Sequence, residues 1–426
     1  MCRFNDFDQL QGYLDHLGLF RMELGLDRMQ AAMSRLGIRP GAMPWVQFVG
    51  TNGKGSTASF LESLARHHGM STGLYTSPHL VSVKERIRVS GNTLPDAPWL
   101  ESAQEIYDKC VDLGLTYFEF LTLIAVLVFQ KNRVDLAIME AGLGGRYDAT
   151  TALGAARQVF TNIDLDHTHV LGDTISEIAA DKARAIHPGS RVILGEQNYP
   201  EASGIVQEIA AEAGARLYRV RDYLERDRGR AWLRKWPEIG FSQQDLGLYG
   251  DCQLRNAGTA LVAWHVFSRE MGVIPEGEKC LRSLQSTFLA GRMQVVSRDP
   301  LILLDGAHNP SGLLQLRNFL HKEGIHPKNI IFTCLQDKEI RPMAEMIMKF
   351  PQANILVPDM GFSPRGINRQ DLLDLLGEEA RELDDVQGFL GRAETGDGPI
   401  LVCGSLYLLG YVFELFPEWL ETKQRL

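Results

Sequence analysis

The sequence lacks the features that mark a disulfide-rich, secreted or membrane-spanning protein. Its six cysteines are dispersed and form no C-x-x-C pair, which favours structural thiols in a reducing cytosol over a disulfide framework; they are Cys2, Cys110, Cys252, Cys280, Cys334 and Cys403. The longest apolar run, Phe120 to Phe129, is too short to span a bilayer and predicts a buried core helix. The first residues carry acids and no apolar stretch, so we expect no secretory signal and a cytoplasmic protein.

An excess of basic residues is also missing. The chain has 44 Lys and Arg against 53 Asp and Glu, a formal charge of −9, and this argues against a general nucleic-acid binder. Hydrophobic residues make up 45% and charged residues 23% of the chain, as in soluble globular proteins. A length of 426 residues predicts two or three domains.

Strand-like apolar runs alternate with helical patterns over most of the chain. This alternation predicts an α/β fold of βαβ units, in which parallel sheets bind ligands at the carboxyl ends of their strands. The predicted strands are Val46–Phe48, Leu136–Met139, Val159–Ile163, Val192–Leu194, Leu301–Leu304, Ile330–Cys334, Ile355–Val357 and Ile400–Cys403. A helical stretch from Thr259 to Leu289 precedes a new strand series, which places a domain boundary near residue 290. Arg221 to Lys235 is charged and strand-poor, and we interpret it as a surface excursion.

The most informative segment is Val49 to Thr57, between an apolar strand and a helix. Its glycines let backbone N–H groups surround phosphate oxygens, the helix N-terminus adds positive potential, and Lys54 can reach the outer phosphates. The match to G-x-x-x-x-G-K is imperfect, because Phe48 stands where a glycine is expected and Gly55 follows the lysine. A turn made for packing alone is the alternative, but the lysine and the paired Ser56 and Thr57 favour a triphosphate site.

Polar residues follow several of the other predicted strands. Glu140 ends a buried strand and precedes a glycine-rich turn, as does the acid that holds magnesium in P-loop enzymes; a solvated glutamate is the alternative. His167 could be a metal ligand, a base, or a structural histidine hydrogen-bonded between Asp166 and the loop, and spacing alone favours the structural role. Asp305 occupies a position that commonly binds a ribose or base edge, and Arg292 could lie across the nucleotide from Lys54.

Lys182 lies on the apolar face of a helix that starts with the capping box Thr174 to Glu177. An unpaired ammonium group on a buried face is costly. Lys182 must therefore extend to solvent, pair with an acid such as Asp164 or Asp166, or be chemically modified.

Taken together, these motifs resemble the folylpolyglutamate synthase and dihydrofolate synthase family, relatives of the Mur ligases, nearly from end to end. The resemblance rests on nine blocks in order: Leu24–Arg28, Gly50–Ser56, Tyr75–Leu80, Thr116–Phe120, Glu140–Thr150, Leu165–Thr168, Asp305–Pro310, Leu335–Glu339 (including Asp337) and Gly404–Tyr407. It implies a P-loop, Mur-ligase-like domain with a parallel sheet (residues 1–289) and a smaller Rossmann-like glutamate-ligase domain (residues 290–426).

The resemblance also implies roles for individual residues. It implies ATP binding by Thr51, Asn52, Gly53, Lys54, Gly55, Ser56, Asn256, Arg292 and Asp305. It implies Mg²⁺ at two sites, with Ser77, Glu140 and His167 as ligands, which reverses the spacing-based interpretation of His167. The implied catalytic residues are Lys54, Lys182 and His308, and the resemblance implies a carbamoyl group on Lys182. The hypothetical pterin pocket comprises His16, Leu17, Gly18, Thr116, Tyr117, Phe118, Glu119, Tyr147 and Asp148.

The implied reaction joins L-glutamate to the carboxylate of dihydropteroate or a reduced folate, with ATP as co-substrate and an acyl phosphate as intermediate. The resemblance suggests a monomer, and we expect neither a nucleic-acid nor a membrane partner. One rival is a peptidoglycan-type Mur ligase, but only 49 residues precede Gly50, too few for its nucleotide-sugar domain. A second rival is a regulatory or switch-type P-loop ATPase, whose ATP hydrolysis would not depend on glutamate.

Overall fold

The computed structural model describes residues 3–18, 23–227, 229–234, 236–336, 338–359, 361 and 365–424. Cys2 and Asp337, both used in the sequence analysis, lie outside these residues. The chain divides into two compact units. The first comprises Met1–His79, Lys84–Phe241 and Arg255–Ser286, and the second comprises Leu80–Val83, Ser242–Leu254 and Thr287–Leu426.

Helices and strands alternate through both units. The α-helices are α1 Phe7–Leu17, α2 Asp27–Leu36, α3 Lys54–His67, α4 Asp96–Cys110, α5 Tyr117–Lys131, α6 Thr168–Leu171, α7 Ile175–Ala183, α8 Pro200–Glu212, α9 Asp251–Phe267, α10 Gly277–Ser286, α11 Pro310–Lys322, α12 Ile340–Ile347, α13 Arg369–Leu376, α14 Val386–Gly391 and α15 Leu406–Leu415. The strands are β1 Trp45–Val49, β2 Thr72–Tyr75, β3 Ile87–Val89, β4 Asn92–Thr93, β5 Leu136–Glu140, β6 Arg157–Phe160, β7 Arg191–Leu194, β8 Arg216–Arg219, β9 Leu224–Asp227, β10 Arg230–Leu233, β11 Trp236–Ser242, β12 Gln294–Arg298, β13 Leu301–Asp305, β14 Asn329–Phe332, β15 Asn354–Pro358, β16 Ala380–Leu383 and β17 Ile400–Cys403.

The main sheet of the first unit has eight strands in the order β4-β3-β2-β5-β1-β6-β7-β8. Each strand in the series β2-β5-β1-β6-β7-β8 runs parallel to its neighbour. At one edge, β3 pairs antiparallel with β2, and β4 pairs antiparallel with β3. Every residue of β1 and β5 is buried, as expected for parallel strands covered on both faces. The carboxyl ends of β1, β5 and β6 are therefore neighbours, and the residues that follow them meet at one edge of the sheet.

The apolar run predicted to be a core helix is α5, and it packs against β2. No helix among the described residues is long and apolar enough to cross a membrane. The contact with β2 is close at Gly73, where a Cβ atom would lie 2.5 Å from the Phe129 ring. Such a distance leaves no room for a side chain, so the glycine sets how near α5 can approach the sheet.

We expect Gly73→Ala to lower the free energy of unfolding by about 1–3 kcal/mol, because the added methyl group must displace Phe129 in a packed core. The matched control is Gly204→Ala in α8, where a Cβ atom would meet nothing within 4 Å. That change should stabilise the protein by up to about 1 kcal/mol through helix propensity. Urea denaturation of both variants measures the difference, and equal unfolding midpoints would contradict the packing argument.

The second unit is built on a six-stranded sheet in the order β12-β13-β17-β14-β15-β16. Only β12 runs antiparallel to its neighbour, and apolar clusters cover both faces of the sheet. The predicted α/β class, with a parallel sheet and a second, smaller α/β sheet, is thus confirmed.

The prediction that Arg221 to Lys235 is strand-poor is wrong. The segment contains β9 and β10, which pair antiparallel and, with β11, form a separate three-stranded sheet. Leu224, Ala231 and Leu233 are buried, whereas Arg226, Asp227 and Arg230 are exposed. An antiparallel sheet tolerates one solvated face, so the charges that hid the strand pattern lie on that face.

Candidate active site

The predicted phosphate-binding segment Val49 to Thr57, called the phosphate loop below, joins the end of β1 to the start of α3. Gly50 has φ 154° and Gly53 has φ 85°, and the second of these values favours glycine strongly. A Cβ atom on Gly53 would lie 2.5 Å from Oδ1 of Asn256. The structure therefore places the Asn256 side chain directly against the loop, although Asn256 is more than 200 residues away in sequence.

Two lysine side chains converge on one carbonyl oxygen of this loop. Nζ of Lys54 donates to the Gly50 oxygen at 3.1 Å and to the Thr51 oxygen at 3.2 Å, and Nζ of Lys182 donates to the same Gly50 oxygen at 3.1 Å. Helix α7 has the predicted capping box, and its apolar face buries Lys182 to 4% exposure. The side chain thus does not extend to solvent, and it forms no ion pair with the described residues.

The environment of Lys182 makes its amine easy to deprotonate. Burial, followed by the charge of Lys54, lowers the pKa of Lys182 to about 7, while Asp166, Asp181 and Asp148 oppose the shift. Near pH 7, Lys182 is therefore a neutral amine in a large fraction of the molecules. A lysine must be neutral to react as a nucleophile.

Glu140, at the end of β5, is buried beside the first turn of α3. Its Oε2 accepts a hydrogen bond from the backbone N–H of Ser77 at 3.0 Å and would lie 3.2 Å from a Cβ atom on Gly55. This contact explains the unexpected glycine after Lys54, since any side chain there would crowd the carboxylate. The structure thus brings together Glu140 and Ser77, two of the three predicted metal ligands.

The loop after β6 is tied to the phosphate loop. The hydroxyl of Thr51 donates to the Asp164 carbonyl and accepts from the Asp164 N–H, both at 3.0 Å. His167, the third predicted metal ligand, has φ 52° and donates its backbone N–H to Oδ1 of Asp166 at 2.9 Å. Its Nε2 lies 3.9 Å from the same oxygen, beyond hydrogen-bond distance, so Asp166 holds the backbone of His167.

Asp148 holds the glycine-rich turn after Glu140. Its buried carboxylate accepts from the N–H groups of Gly142 and Leu143 at 2.7 and 3.0 Å, and from the N–H and hydroxyl of Thr150 at 2.9 and 2.5 Å. Burial raises the pKa of Asp148, and these hydrogen bonds oppose the rise. Asp181 supports the same turn from α7 by accepting from Gly145 at 3.0 Å. Sequence reasoning missed both supporting roles, because the partners are backbone groups.

The remaining predicted pterin residues lie around the start of α5. Thr116 and Glu119 form its capping box, and Glu119 also accepts from Arg28 at 3.1 Å. The Phe118 ring packs against Gly142 and lies 5.6 Å from the Tyr75 ring. His16, Leu17 and Gly18 end α1, which packs against α5, while Tyr147 is 38% exposed. These positions stay predictions as pterin ligands.

The turn after β2 contains a further polar pair that the sequence did not point to. Nε of Arg86 donates to Nδ1 of His79 at 2.8 Å, and the guanidinium carbon lies 5.4 Å from the centre of the Tyr117 ring. Burial, and then the Arg86 charge, lower the pKa of His79 to about 3. The only hint in the sequence is that His79 falls within the Tyr75–Leu80 block.

In the second unit, Asp305 ends β13 and organises the turn that follows. Its carboxylate accepts from the N–H groups of Met293 at 2.8 Å and Ala307 at 2.9 Å. Burial raises the pKa of Asp305, and the nearby charge of Arg292 opposes the rise. Nδ1–H of His308 donates to the Gly306 oxygen at 2.8 Å.

The predicted metal ligands provide a small set of donor atoms. Among the described residues, no group of three or more His, Cys, Asp or Glu side chains is arranged to hold a metal ion. The predicted set contains only two such side chains, Glu140 and His167, and its third member is the Ser77 hydroxyl. Carboxylate and hydroxyl oxygens suit a hard divalent cation, so the Ser77 and Glu140 pair fits one.

Comparisons with known proteins agree with this geometry. Residues 291–406 match the family model described as Mur ligase, glutamate ligase domain. Dihydrofolate synthase/folylpolyglutamate synthase of Escherichia coli (strain K12) is 34% identical over 418 residues, which cover 95% of this chain and 94% of the relative. The chain belongs to the dihydrofolate synthase/folylpolyglutamate synthase family.

Solved structures of this family have the same fold. A bifunctional folylpolyglutamate synthase/dihydrofolate synthase from Yersinia pestis, complexed with AMPPNP and Mn ion, has a TM-score of 0.85, 31% identity and coverage of 98% of this chain and 99% of its own. A structure of the same bifunctional enzyme type, with Mn, AMPPNP and L-glutamate bound, has a TM-score of 0.82, 32% identity and coverage of 96% and 98%. The predicted family, Mur-ligase-type fold and ligase class are therefore confirmed.

Proposed function

We propose that the chain uses ATP to join L-glutamate to a pteroyl carboxylate, acting as both dihydrofolate synthase and folylpolyglutamate synthase. The observation that supports this most is the convergence of Lys54 and Lys182 on the Gly50 carbonyl, beside the buried Glu140. Cations and a carboxylate are thus held at a phosphate-binding loop. The Mn and AMPPNP in the related structures support ATP and a divalent cation as the bound groups.

In the proposed reaction, a carboxylate oxygen of the acid attacks the γ-phosphorus of ATP, and the bond to the β-phosphate oxygen breaks. The products are an acyl phosphate and ADP. The glutamate nitrogen then attacks the acyl carbon, phosphate leaves with the bonding electrons, and the nitrogen loses a proton. Lys54 supplies positive charge where the phosphoryl group is transferred, and the N–H groups of the loop position the phosphates.

We propose Ser77, Glu140 and His167 as ligands of a divalent cation, which would neutralise charge on the phosphate oxygens when bound. Two Mg²⁺ sites remain part of this proposal. Lys182 is proposed to react with CO₂, its neutral amine forming a carbamate with release of a proton. Carbamoylation would thus put an anionic group where the unmodified lysine would carry a buried positive charge.

The domain roles are also proposals. Residues 1–289 would bind ATP through Thr51 to Ser56 and Asn256, and the pteroyl acid through the residues at the start of α5. Residues 290–426 would bind glutamate, with Arg292 and Asp305 as ATP-binding residues and His308 as a catalytic residue. We propose a cytoplasmic monomer whose partners are these small molecules.

The test measures ADP release with dihydropteroate and with tetrahydrofolate, each with and without L-glutamate. We expect both acids to support release only when glutamate is present, and mass spectrometry to show products one glutamyl unit heavier. ATP hydrolysis at the same rate with and without the acid and glutamate would favour a switch-type ATPase and refute the proposal.

A further inference from the structure

The turn after β2 carries a nearly buried arginine without an acidic partner. Arg86 is 4% exposed and forms no ion pair with any residue that the structure describes. Its side chain contacts His79 through Nε and lies over the face of the Tyr117 ring. A desolvated guanidinium costs several kcal/mol unless an acceptor compensates it, and neither a neutral imidazole nor a ring face does so fully.

The terminal nitrogens of Arg86 are open to such an acceptor. Neither nitrogen makes a hydrogen bond to the described part of the chain. The described side-chain atoms that are both fully buried and without a hydrogen bond do not include them. They therefore retain some access to solvent. A ligand with a suitably placed oxygen could accept a hydrogen bond from them.

The contact with Arg86 also fixes the tautomer of His79. An arginine N–H can only donate, so Nδ1 of His79 must be the acceptor and carry no proton. The imidazole is therefore neutral, with its proton on Nε2. His79 is only partly buried, and Nε2 has no hydrogen-bond partner among the described residues. A fixed N–H donor is thus available beside the unpartnered end of Arg86.

Both residues border the proposed site. His79 lies two residues after Ser77, whose N–H is bonded to Glu140. The backbone oxygen of Arg86 accepts from Thr76 at 2.9 Å, which ties the start of β3 to the same turn. Tyr117, which lies under the guanidinium, is the first residue of α5, next to Thr116 and Phe118. The donors are therefore at the boundary between the candidate metal ligands and the candidate pterin residues.

We propose that His79 and Arg86 form a donor pair that binds an oxygen atom of the acid substrate, with His79 contacting the substrate and Arg86 both contacting it and fixing the His79 tautomer. The chemistry required is an acceptor without a proton, that is, a carboxylate or carbonyl oxygen. This inference rests on the proposed function. Two sources fit: an oxygen common to dihydropteroate and tetrahydrofolate, or the glutamyl α-carboxylate that only tetrahydrofolate carries.

Two substitutions of His79 separate the two ring nitrogens. His79→Asn keeps an oxygen near the Nδ1 position, where it can accept from Arg86, but loses the donor at Nε2. His79→Gln places an amide N–H near the Nε2 position. We expect His79→Asn to raise KM for the acid about tenfold, the equivalent of one hydrogen bond, with kcat and KM for ATP changed less than about twofold. For His79→Gln, KM for the acid should stay within about threefold of the wild-type value.

Substitution of Arg86 tests the other half of the pair. Arg86→Gln should raise KM for the acid by about 10- to 100-fold, because hydrogen bonds that involve a charged group are stronger. Arg86→Lys keeps the positive charge but loses the planar guanidinium group, so its KM for the acid should lie between the values for Arg86→Gln and the wild type. His326→Asn, at an exposed position in the second unit, serves as the surface control and should match the wild type.

The outcomes are distinct. A rise in KM for both acids assigns the shared oxygen, and a rise for tetrahydrofolate alone assigns the α-carboxylate. The donor pair is overturned if His79→Asn leaves KM for both acids unchanged. It is also overturned if His79→Asn and His79→Gln raise KM for the acid equally and KM for ATP rises as well. That result would mean that His79 has a structural role. A wild-type protein that forms no glutamylated product refutes the proposed function itself, and the pair with it.

Discussion

Lys54→Ala is expected to abolish ligation while the fold is retained. The ammonium group of Lys54 lies at the phosphate loop, 3.1 Å from the Gly50 oxygen, and it can turn from that oxygen to a phosphate. Its contact is worth about 1.5–3 kcal/mol in the bound ground state and more where charge develops during transfer. We therefore expect kcat for ADP release to fall by at least about 10²- to 10³-fold.

Two further variants make this result interpretable. Lys109→Ala removes a lysine from an exposed i,i+4 pair with Glu105 and should leave turnover unchanged. Lys54→Arg keeps the charge in a larger group and should recover little activity, because the loop fits a compact ammonium group. Circular dichroism and urea denaturation monitor the fold. Turnover close to that of the wild type in Lys54→Ala would remove the role assigned to the loop.

Lys182→Ala is expected to reduce kcat by about 10²-fold or more, because a carbamate near the transferring phosphate would be lost. A short carboxylate such as acetate should partly restore activity in the space left by the side chain. The pH dependence has a defined sign. CO₂ reacts with the neutral amine, and the pKa of Lys182 is lowered to about 7, so activity in CO₂-containing buffer should rise with pH through neutrality.

Lys182→Arg is the matched control for this prediction. Arginine keeps a cation on the buried face of α7 but forms no carbamate, so we expect it to be inactive and unresponsive to acetate. Wild-type activity in Lys182→Arg would show that the cation is what the site requires. Mass spectrometry or ¹³C NMR with labelled CO₂ detects the modification directly, in a readout that is independent of turnover.

Local patterns predicted the framework of the fold well. The apolar runs at Trp45–Val49 and Leu136–Glu140 are adjacent strands, and the capping box at Thr174 starts α7 with Lys182 on its buried face. These predictions succeeded because burial on both sides of a parallel strand, and helix capping, depend on residues that are close in sequence. The charged strands β9 and β10 were missed because one of their faces is solvated.

The candidate site was only partly predictable. The strand-end pattern singled out Glu140 and Asp305 as candidates, yet the reason for Gly55 was evident only from its contact with Glu140. Asp148 was expected at the pterin pocket, and its carboxylate is already bonded to Gly142, Leu143 and Thr150. A one-dimensional pattern can mark a carboxylate as important but does not show which donors it meets.

The sequence by itself determined the α/β class, the phosphate loop and the family, because these depend on short motifs and on the alternation of apolar and polar residues. Only the tertiary structure decided that Lys182 and Lys54 donate to the same Gly50 oxygen. The same is true of the Asn256 side chain that packs against Gly53, and of the hydrogen bond by which Arg86 fixes the tautomer of His79. The strand order β2-β5-β1-β6 brings loops that are distant in sequence to one edge of the sheet, and α9 carries Asn256 to the same loop. Hydrogen bonding and desolvation act over a few ångströms of space, whatever the separation along the chain.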